Sequence, residues 1–548
     1  MGERVVQWGS NGASSVVEHL LFEHAFPREI SWYRGRSRLW CLACHRLRTG
    51  DFEHCEAVLD AMDDEAGSSS SRCSASSRLA RRSGNHWRVR LRLDTVTRIL
   101  ITLCGDTESG RDPAERTRGV SGHLVLLHLS DIHFVRSSGG VYDLDADLRN
   151  ELELDAQRVR EELGEVDAVV VSGDIAFSGS REEFAIATEW LRSFTSMIGC
   201  EMHRVWVTPG NHDVEWSAID GSTMLQAVRK ELLTQTPATV DAELSRHLQD
   251  SGAGPMLFSP LNNYNEFADR FGCRIGPDVP YWESPLKLND DWTLCLRGLN
   301  SVLTSGRDDE PKRLILGAHQ ATPQRKPRVV YLTVCHHPPS WLLDRTEVET
   351  LLNARSKIQL FGHEHDQVVR QVDETLVVTA GAVHPERSGE PWEPRYNWLV
   401  VRVSPGADGK PALEVELCPR VWNRASKAFE AEYHEDGKCS KYSLGLDEPE
   451  EISRPGEEAD GREEKSTEPE DPDTGSEERE DVNRNLNYHL FNIPYIRAFR
   501  IASELGLSEE TDRHQAVNEQ LNQILERAVQ RGLVEELRER VDKAEQEG

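Results

Sequence analysis

The chain has 548 residues and a formal net charge of −30. This acidic balance disfavours a protein that coats nucleic acid, and no apolar run reaches the ~18 residues needed to cross a membrane. The eleven cysteines follow no tight spacing, which favours reduced thiols, and the N-terminus has no basic stretch followed by an apolar core. We therefore expect a soluble cytoplasmic protein with several domains.

Residues 1–119 show poor hydrophobic periodicity and are predicted to form a poorly ordered N-terminal extension. Within them, Cys41-Leu-Ala-Cys44-His45 is a weak signal for structural zinc or, in an exported protein, for haem attachment. An alternative interpretation is that the natural start lies near Val120.

Strands and helices alternate from His123 onwards, which indicates a mainly parallel α/β core in a domain spanning 120–445. A long helical insertion at 214–280 interrupts this domain and could cap a substrate, although packing is the simpler role for its helices. The last strands favour antiparallel pairing. The predicted strands lie at 124–129, 167–171, 204–208, 292–299, 329–335, 358–361, 376–380, 398–403 and 413–417, and the predicted helices at 144–163 and 181–198.

Two segments follow this domain. Residues 446–484 are predicted to be a disordered acidic linker, because 17 acidic and 4 basic side chains stand between Asp447 and Asp481 with almost no apolar residues. Residues 485–548 show apolar residues at helical spacing and are predicted to form a small all-α domain for self-association or for binding a protein partner. The domain at 120–445 is expected to fold without this piece.

Polar side chains follow five of the apolar strands at the point where each strand ends. They stand in Asp131-Ile-His133, Gly173-Asp174, Gly210-Asn-His-Asp213, His336-His337 and Gly362-His-Glu-His365. Core packing alone does not explain this pattern, whereas a metal site at one edge of a sheet does. Carboxylate and amide oxygens suit hard divalent metals, and imidazole suits manganese, iron or zinc.

These five motifs, in this order over about 245 residues, resemble those of the calcineurin-like metallophosphoesterases. The resemblance implies a two-sheet β-sandwich flanked by helices, with the site at the strand edges. It implies two divalent transition-metal ions, Mn, Fe or Zn, with Asp174 as the bridging ligand. Asp131, His133 and His365 should hold one metal, and Asn211, His336 and His363 the other, with His337 outside the ligand set.

The resemblance also assigns catalytic roles beside the metals. His212 should approach the phosphate and stabilise charge or protonate the leaving oxygen, with Asp213 orienting its ring. The alternative is that His212 is a structural residue next to the ligands. The nucleophile implied is a hydroxide that bridges the two metals and attacks phosphorus in line.

Details of the motifs favour one branch of this family. Phosphoprotein phosphatases continue the Gly-Asp motif with Asp-Arg-Gly, whereas Asp174 is followed here by Ile-Ala-Phe-Ser. The sequence around Pro209 and the Cys-His-His-Pro-Pro339 run look more like the bacterial cyclic-nucleotide phosphodiesterases. The predicted substrate is therefore a phosphodiester, such as a cyclic nucleotide or a nucleotide derivative. Two alternatives stay open: a nuclease, which the acidic chain disfavours, and an effector or scaffold protein recruited through residues 485–548.

Overall fold

The structure is a computed structural model. It describes residues 122–136, 146–307, 309–385, 392–406, 409–433, 437–446, 475–509, 511–512 and 515–546, together with three short strands nearer the N-terminus. Those strands, β1 (Val6–Gly9), β2 (Ala80–Ser83) and β3 (His86–Val89), form an antiparallel sheet in the order β1-β3-β2 within the unit Met1–Thr117. The zinc signal at Cys41 and most of the predicted N-terminal extension lie outside the described residues, as do residues 447–474 of the predicted linker.

The second unit, Arg118–Gly548, contains two sheets. The first has the order β15-β14-β13-β4-β5-β6, with β16 paired to β14. Strands β4, β5 and β6 are parallel, as the alternation predicts, and β13 joins β4 in antiparallel fashion. Strand β6 therefore lies at one edge of this sheet. The bounds are β4 (His123–Leu129), β5 (Ala168–Val171), β6 (Val205–Val207), β13 (Arg395–Pro405), β14 (Pro411–Asn423), β15 (Ala428–Ala431) and β16 (Ser440–Gly445).

The second sheet has the order β11-β12-β10-β9-β8-β7. Its centre is parallel, and the edge strands β7 and β11 run antiparallel to their neighbours. Neither edge strand was among the predicted elements. Strand β12 is antiparallel to β11, as expected for it, and parallel to β10 on its other side. The bounds are β7 (Tyr281–Lys287), β8 (Thr293–Leu299), β9 (Val329–Cys335), β10 (Ile358–Phe361), β11 (Val368–Val372) and β12 (Thr375–Thr379).

Helices cover the sheets, and the apolar side chains of both sheets merge into one core that includes Trp206 and Trp398. Helix α2 shows how the local sequence sets its ends: the Glu183 carboxylate accepts a hydrogen bond from the backbone N–H of Ser180 at 3.2 Å, and Gly199 ends the helix in the left-handed conformation. The insertion at 214–280 is helical as predicted. The bounds are α1 (Ala146–Leu163), α2 (Arg181–Ile198), α3 (Trp216–Asp220), α4 (Thr223–Leu233), α5 (Val240–Gln249), α6 (Ala253–Phe258), α7 (Asn262–Ala268), α8 (Ala318–Ala321) and α9 (Arg345–Arg355).

Four C-terminal helices share a small apolar core of their own, around Leu490, Ile524 and Leu537. The first of them begins at Gly475, so residues 475–484 of the predicted linker are helical. Among the described residues, no helix is long and apolar enough to cross a membrane. The bounds are α10 (Gly475–Asn492), α11 (Tyr495–Glu504), α12 (Val517–Arg531) and α13 (Val534–Gln546).

One cysteine pair departs from the expectation of reduced thiols. Cys418 and Cys439 are joined by a disulfide. The reason is the strand register: Leu417 of β14 pairs with Ser440 of β16, which brings the two cysteines side by side. Among the described residues, Cys200, Cys273, Cys295 and Cys335 are buried thiols outside any disulfide, as expected of cysteines that serve as core residues.

Candidate metal centre

Side chains able to bind metal stand at the carboxyl ends of five strands, and these ends come together where the two sheets meet. Strands β4, β5 and β6 belong to one sheet, and β9 and β10 to the other. The sequence predicts a site at a sheet edge, and the structure assembles it from both sheets. The side chains are Asp131 and His133 after β4, Asp174 after β5, Asn211 after β6, His336 after β9, and His363 and His365 after β10.

Backbone strain is concentrated at these positions. Few residues other than glycine adopt positive φ, and such conformations cost about 1–3 kcal/mol each and cluster at functional sites. Here the left-handed backbone conformation occurs just after each strand ends, and it directs these side chains toward the candidate metal site. The residues and their φ angles are Asp131 (54°), His133 (51°), Asp174 (52°), His363 (69°) and His365 (59°).

The glycines of the motifs provide room for the site. Gly173 has φ of 96°, and a Cβ there would lie 2.6 Å from Nδ1 of His336. A Cβ at Gly210 would overlap the side chain and backbone nitrogen of Asp174. Both positions therefore require glycine because the carboxylate and imidazole approach the backbone closely.

Asp174 lies between two groups of imidazoles. Its Oδ2 is 3.4 Å from Nε2 of His336 and 3.9 Å from Nε2 of His133, and its Oδ1 accepts a hydrogen bond from the backbone N–H of His212 at 2.8 Å. Burial alone would raise the pKa of this carboxyl, but the neighbouring His336 and His133 hold the pKa well below its usual range. Asp174 is therefore an anionic centre shared by both groups.

The first group consists of Asp131, His133 and His365, whose ligand atoms lie within 4.8 Å of one another. Oδ1 of Asp131 is 3.3 Å from Nε2 of His365, and Oδ2 accepts hydrogen bonds from Ser130 Oγ and from the backbone N–H of His363. Within the described part of the chain, Oδ1 of Asp131 and Nδ1 of His133 are buried without a hydrogen-bond partner.

The second group consists of Asn211, His336 and His363. Oδ1 of Asn211 lies 3.0 Å from Nε2 of His336 and 3.0 Å from Nδ1 of His363. The other nitrogen of His336 lies 2.9 Å from the Ser172 carbonyl oxygen and must donate its proton there. In the neutral ring this leaves the lone pair of Nε2 facing the oxygens of Asn211 and Asp174.

This donor set fits divalent cations. Carboxylate oxygens, an amide oxygen and imidazole nitrogens lie close together in the site. Few N–H or O–H groups are available to donate hydrogen bonds to their lone pairs, so a bound cation would remove the electrostatic repulsion between these lone pairs. In the protein alone, burial opposes a charged His336, yet the Asp174 and Asp131 carboxylates raise its pKa to about 9. A proton on His336 thus supplies part of the positive charge that the site attracts.

The two histidines of the His336-His337 pair make different contacts, although both belong to a group with His363 whose ligand atoms lie within 4.8 Å of one another. His336 faces Asn211 and Asp174, whereas Nδ1 of His337 lies 2.9 Å from Ser301 Oγ. His337 is nevertheless close to the second group, with its ring 4.3 Å from that of His363, and its Nε2 is buried without a partner among the described residues. These contacts favour His336 as the ligand and give His337 a packing position behind His363.

His212 lies beside the first group. Its ring is 4.8 Å from that of His133, and its Nδ1 is 2.7 Å from the backbone carbonyl oxygen of Phe177. That carbonyl fixes the ring and leaves Nε2 as the nitrogen that can meet a substrate oxygen. The partner is a backbone group that the sequence pattern does not reveal.

Asp213 is not placed to orient His212. Its carboxylate accepts hydrogen bonds from the backbone N–H groups of Gly210 at 2.8 Å, Ala176 at 2.7 Å and Ile175 at 3.2 Å. Burial and the nearby Asp174 raise the pKa of Asp213 to about 7, although these N–H groups oppose the shift. The expected role is therefore corrected: Asp213 ties the turn after β6 to the turn after β5.

Three aromatic side chains that the motifs do not include adjoin the site. The ring of Phe177, with 49% of its surface exposed, is 5.3 Å from that of His212, and the ring of Trp216 is 5.7 Å from it on the first helix of the insertion. Trp341 lies at the other group, 4.1 Å from His363. Phe177 and Trp341 follow the Gly-Asp and double-histidine motifs by three and four residues, a spacing that could have drawn attention to them.

Comparisons with known proteins agree with the motifs. Residues 124–367 match the family model of the calcineurin-like phosphoesterases. No curated protein matches the chain. Among solved structures, a predicted phosphoesterase from Streptococcus pneumoniae is similar, with 12% identity, a TM-score of 0.23, and coverage of 59% of this chain and 98% of that one.

Two other similar structures cover comparable parts of the chain. A protein from Staphylococcus aureus described as a 5′-nucleotidase has 12% identity and a TM-score of 0.28, with 59% of this chain and 55% of that one covered. The zinc complex of Vps29 from Entamoeba histolytica has 10% identity and a TM-score of 0.24, with 58% and 99% covered.

The family match begins in β4 and ends just after His365, so it contains every side chain of both ligand groups. The two sheets flanked by helices and the position of the site agree with it. The chain therefore contains a calcineurin-like phosphoesterase domain at residues 124–367, which supports a metal-dependent hydrolase of phosphoesters.

Proposed function

We propose that this protein is a phosphodiesterase that uses two divalent transition-metal ions, Mn, Fe or Zn. The observation that carries the proposal is the position of Asp174, whose Oδ2 faces His336 at 3.4 Å on one side and His133 at 3.9 Å on the other. A carboxylate between two sets of ligands is what a pair of neighbouring metal ions requires. Asp131, His133 and His365 would hold one ion, and Asn211, His336 and His363 the other.

The chain's own groups suit the chemistry of a phosphoester. Two bound cations would polarise the phosphoryl oxygens and activate a water molecule as the nucleophile. His212 stands at the edge of the first ligand group, and its Nδ1 proton is held by the Phe177 carbonyl. A second proton on Nε2 makes the ring cationic, so that it can contact phosphate and protonate the leaving oxygen.

Two features support diesters over phosphoproteins. The residues after Asp174 and the proline before Gly210 differ from the phosphatase pattern. The aromatic rings of Phe177 and Trp341 stand at the two ligand groups, and a diester carries two substituents that could contact them. Nucleotide diesters and cyclic nucleotides have the aromatic base that such rings bind by stacking.

The test is turnover by purified protein reconstituted separately with Mn, Fe and Zn. The panel comprises a phosphomonoester, a bis-aryl phosphodiester, cyclic nucleotides, phosphopeptides and single-stranded DNA. We expect the highest kcat/KM for a diester, and a higher kcat/KM for phosphopeptides would contradict the proposal. Preference for DNA would favour the nuclease alternative, and no turnover of any substrate would favour an effector or scaffold.

A further inference from the structure

Strand β6 lies at the edge of the first sheet although it leads directly into the site. It pairs with β5 on one side only. An edge strand leaves backbone carbonyls without partners and is free to shift unless something covers it. Only three residues separate Val207, the end of β6, from Asn211, so a shift of the strand moves the second ligand group and His212.

The open edge of β6, together with the short helical turn Met202–Arg204 just before it, is covered by side chains that donate to outward backbone carbonyls. Arg484, on α10, donates to the carbonyl of His203 at 3.1 and 3.0 Å and to that of Val205 at 3.0 Å. The next outward carbonyl, that of Val207, accepts from the Tyr264 hydroxyl at 3.0 Å and from the Trp282 indole N–H at 2.8 Å. Side chains thus take the place of a neighbouring strand.

Arg484 is buried at its contact with β6. Its side chain is only 9% exposed, and its guanidinium lies over the Trp206 ring at 4.4 Å. Trp206 is the middle residue of β6. The planar guanidinium therefore combines hydrogen bonds to the strand's edge with stacking on the strand's own side chain, a combination that lysine cannot reproduce.

A second contact holds the C-terminal helices against the helical insertion. Asp269 is 2% exposed, and its carboxylate accepts hydrogen bonds from Asn518 at 2.8 Å and Asn522 at 3.2 Å, both on α12. Its backbone carbonyl accepts from Asn487 of α10 at 2.6 Å. Nearby, Asp481 lies 2.9 Å from Arg204, next to β6. The helices are therefore docked by buried polar groups, which require specific partners.

We propose that the C-terminal helices act as a clamp on β6 and that Arg484 is a positioning residue for Asn211 and His212. The proposal rests on the proposed function, because it assigns these two residues to the site. The helical unit then belongs to the catalytic fold, and a change that draws α10 away from β6 lowers activity without touching a ligand.

The test compares Arg484→Met with Arg497→Met in the full-length protein. Methionine preserves apolar bulk but removes every donor. Arg497 is a matched control, since it also donates to a backbone carbonyl, that of Ala544 at 2.7 Å, but within the helical unit. The readouts are thermal unfolding, kcat and KM at saturating metal well below Tm, and hydrogen exchange of the peptide containing 205–213.

We expect Arg484→Met to speed exchange in 205–213 and to lower kcat by about tenfold or more, because misplacement of catalytic groups by about 1 Å can cost ~10²-fold. Arg497→Met should lower Tm without either effect. Amides that report on the turn are those of Thr208, His212 and Asp213, bonded to Val171, Asp174 and Gly210.

Unchanged exchange and full kcat in Arg484→Met would overturn the proposal and make Arg484 a stability anchor only. If that variant does not fold, Arg484→Lys is used, with the same two readouts and the same outcomes. Failure of the proposed function is distinguishable, since wild-type protein would then turn over no phosphoester while the exchange of 205–213 still reports on the clamp.

Discussion

Replacement of Gly210 by alanine is a direct test of the Asp174-centred site. Gly210 has φ of −104° and ψ of 178°, a conformation that alanine adopts without strain. The substitution therefore acts only through the added Cβ. That atom would overlap Oδ1 and the backbone nitrogen of Asp174 and lie 2.8 Å from its Cγ, whereas real Cβ atoms essentially never come within 3.0 Å.

Asp174 has little freedom to yield. Its Oδ1 accepts from the N–H of His212, and its backbone carbonyl accepts from Ile132 at 2.9 Å and His133 at 3.0 Å. Relief of the overlap needs a shift of about 1 Å, which in an active site can cost ~10²-fold in rate. Overpacking of a well-filled interior costs about 1–3 kcal/mol in the free energy of unfolding.

The assay measures metal content by elemental analysis, kcat for a bis-aryl phosphodiester and Tm. We expect Gly210→Ala to lose metal and to fall by about 10²-fold in kcat while remaining folded. Gly276→Ala is the matched control, because a Cβ there meets nothing within 4 Å. Wild-type metal content and kcat in Gly210→Ala would refute the placement of Asp174 at the centre of the site.

Four further substitutions separate the roles of the site residues. Asp174→Ala should lose both metal ions, and full occupancy by elemental analysis would contradict its bridging role. His212→Ala should lower kcat by roughly two to four orders of magnitude with metal content unchanged, and a near-normal kcat would make this residue structural. Phe177→Ala and Trp341→Ala should each raise KM for a cyclic nucleotide by about tenfold, since base stacking contributes ~1–3 kcal/mol. Tyr433→Ala, at an exposed ring, is the control for them, and equal KM effects on a diester without an aromatic group would exclude stacking.

That the candidate ligands lie close together could be predicted, because each one stands within four residues of the end of a buried strand. The run from Ala168 to Val171 is continuously apolar, and the run from Leu124 to Leu129 is apolar except for the buried His128. Such strands lie at the centre of a sheet. Their carboxyl ends must then meet at one edge. The positive φ of Asp131 and Asp174 could not be predicted, because only the assembled site fixes these conformations.

Other features depend on contacts between distant parts of the chain. Arg484 follows a strongly acidic stretch of the sequence, and a charged residue in that context is predicted to be exposed to solvent. In the structure it instead donates to the backbone carbonyls of residues 203 and 205. Asp269 likewise finds its partners Asn518 and Asn522 about 250 residues later. Backbone carbonyls carry no sequence signature, so neither the docking of the helices nor the carbonyl that holds His212 could be read from residue types.

The hydrogen-bond partners of Asp213 also could not be predicted from the sequence, although this residue stands directly after His212. A carboxylate next to His212 in the motif suggests an ion pair, yet the three backbone N–H groups that it meets include those of Ile175 and Ala176 in another turn. Asp213 stands in the motif because its carboxylate joins the turn after β5 to the turn after β6, and both turns carry candidate ligands. A buried carboxylate is stabilised by several N–H donors. Here two of the donors belong to the turn after β5 and one belongs to the turn after β6.

Because the ligands come from two sheets, catalysis requires that the sheets keep a fixed relative position. Strand β6 is the edge of one sheet and β7 the edge of the other. The indole of Trp282, on β7, donates to the carbonyl of Val207 at 2.8 Å, so the two edges are joined close to the site. Gly298 leaves room for this indole, since a Cβ there would overlap its ring. The contact fixes Asn211, which follows β6, relative to His336 and His363, which follow strands of the second sheet. Arg484 contacts the same edge through the carbonyl of Val205, so the proposed clamp by the C-terminal helices would add to this restraint.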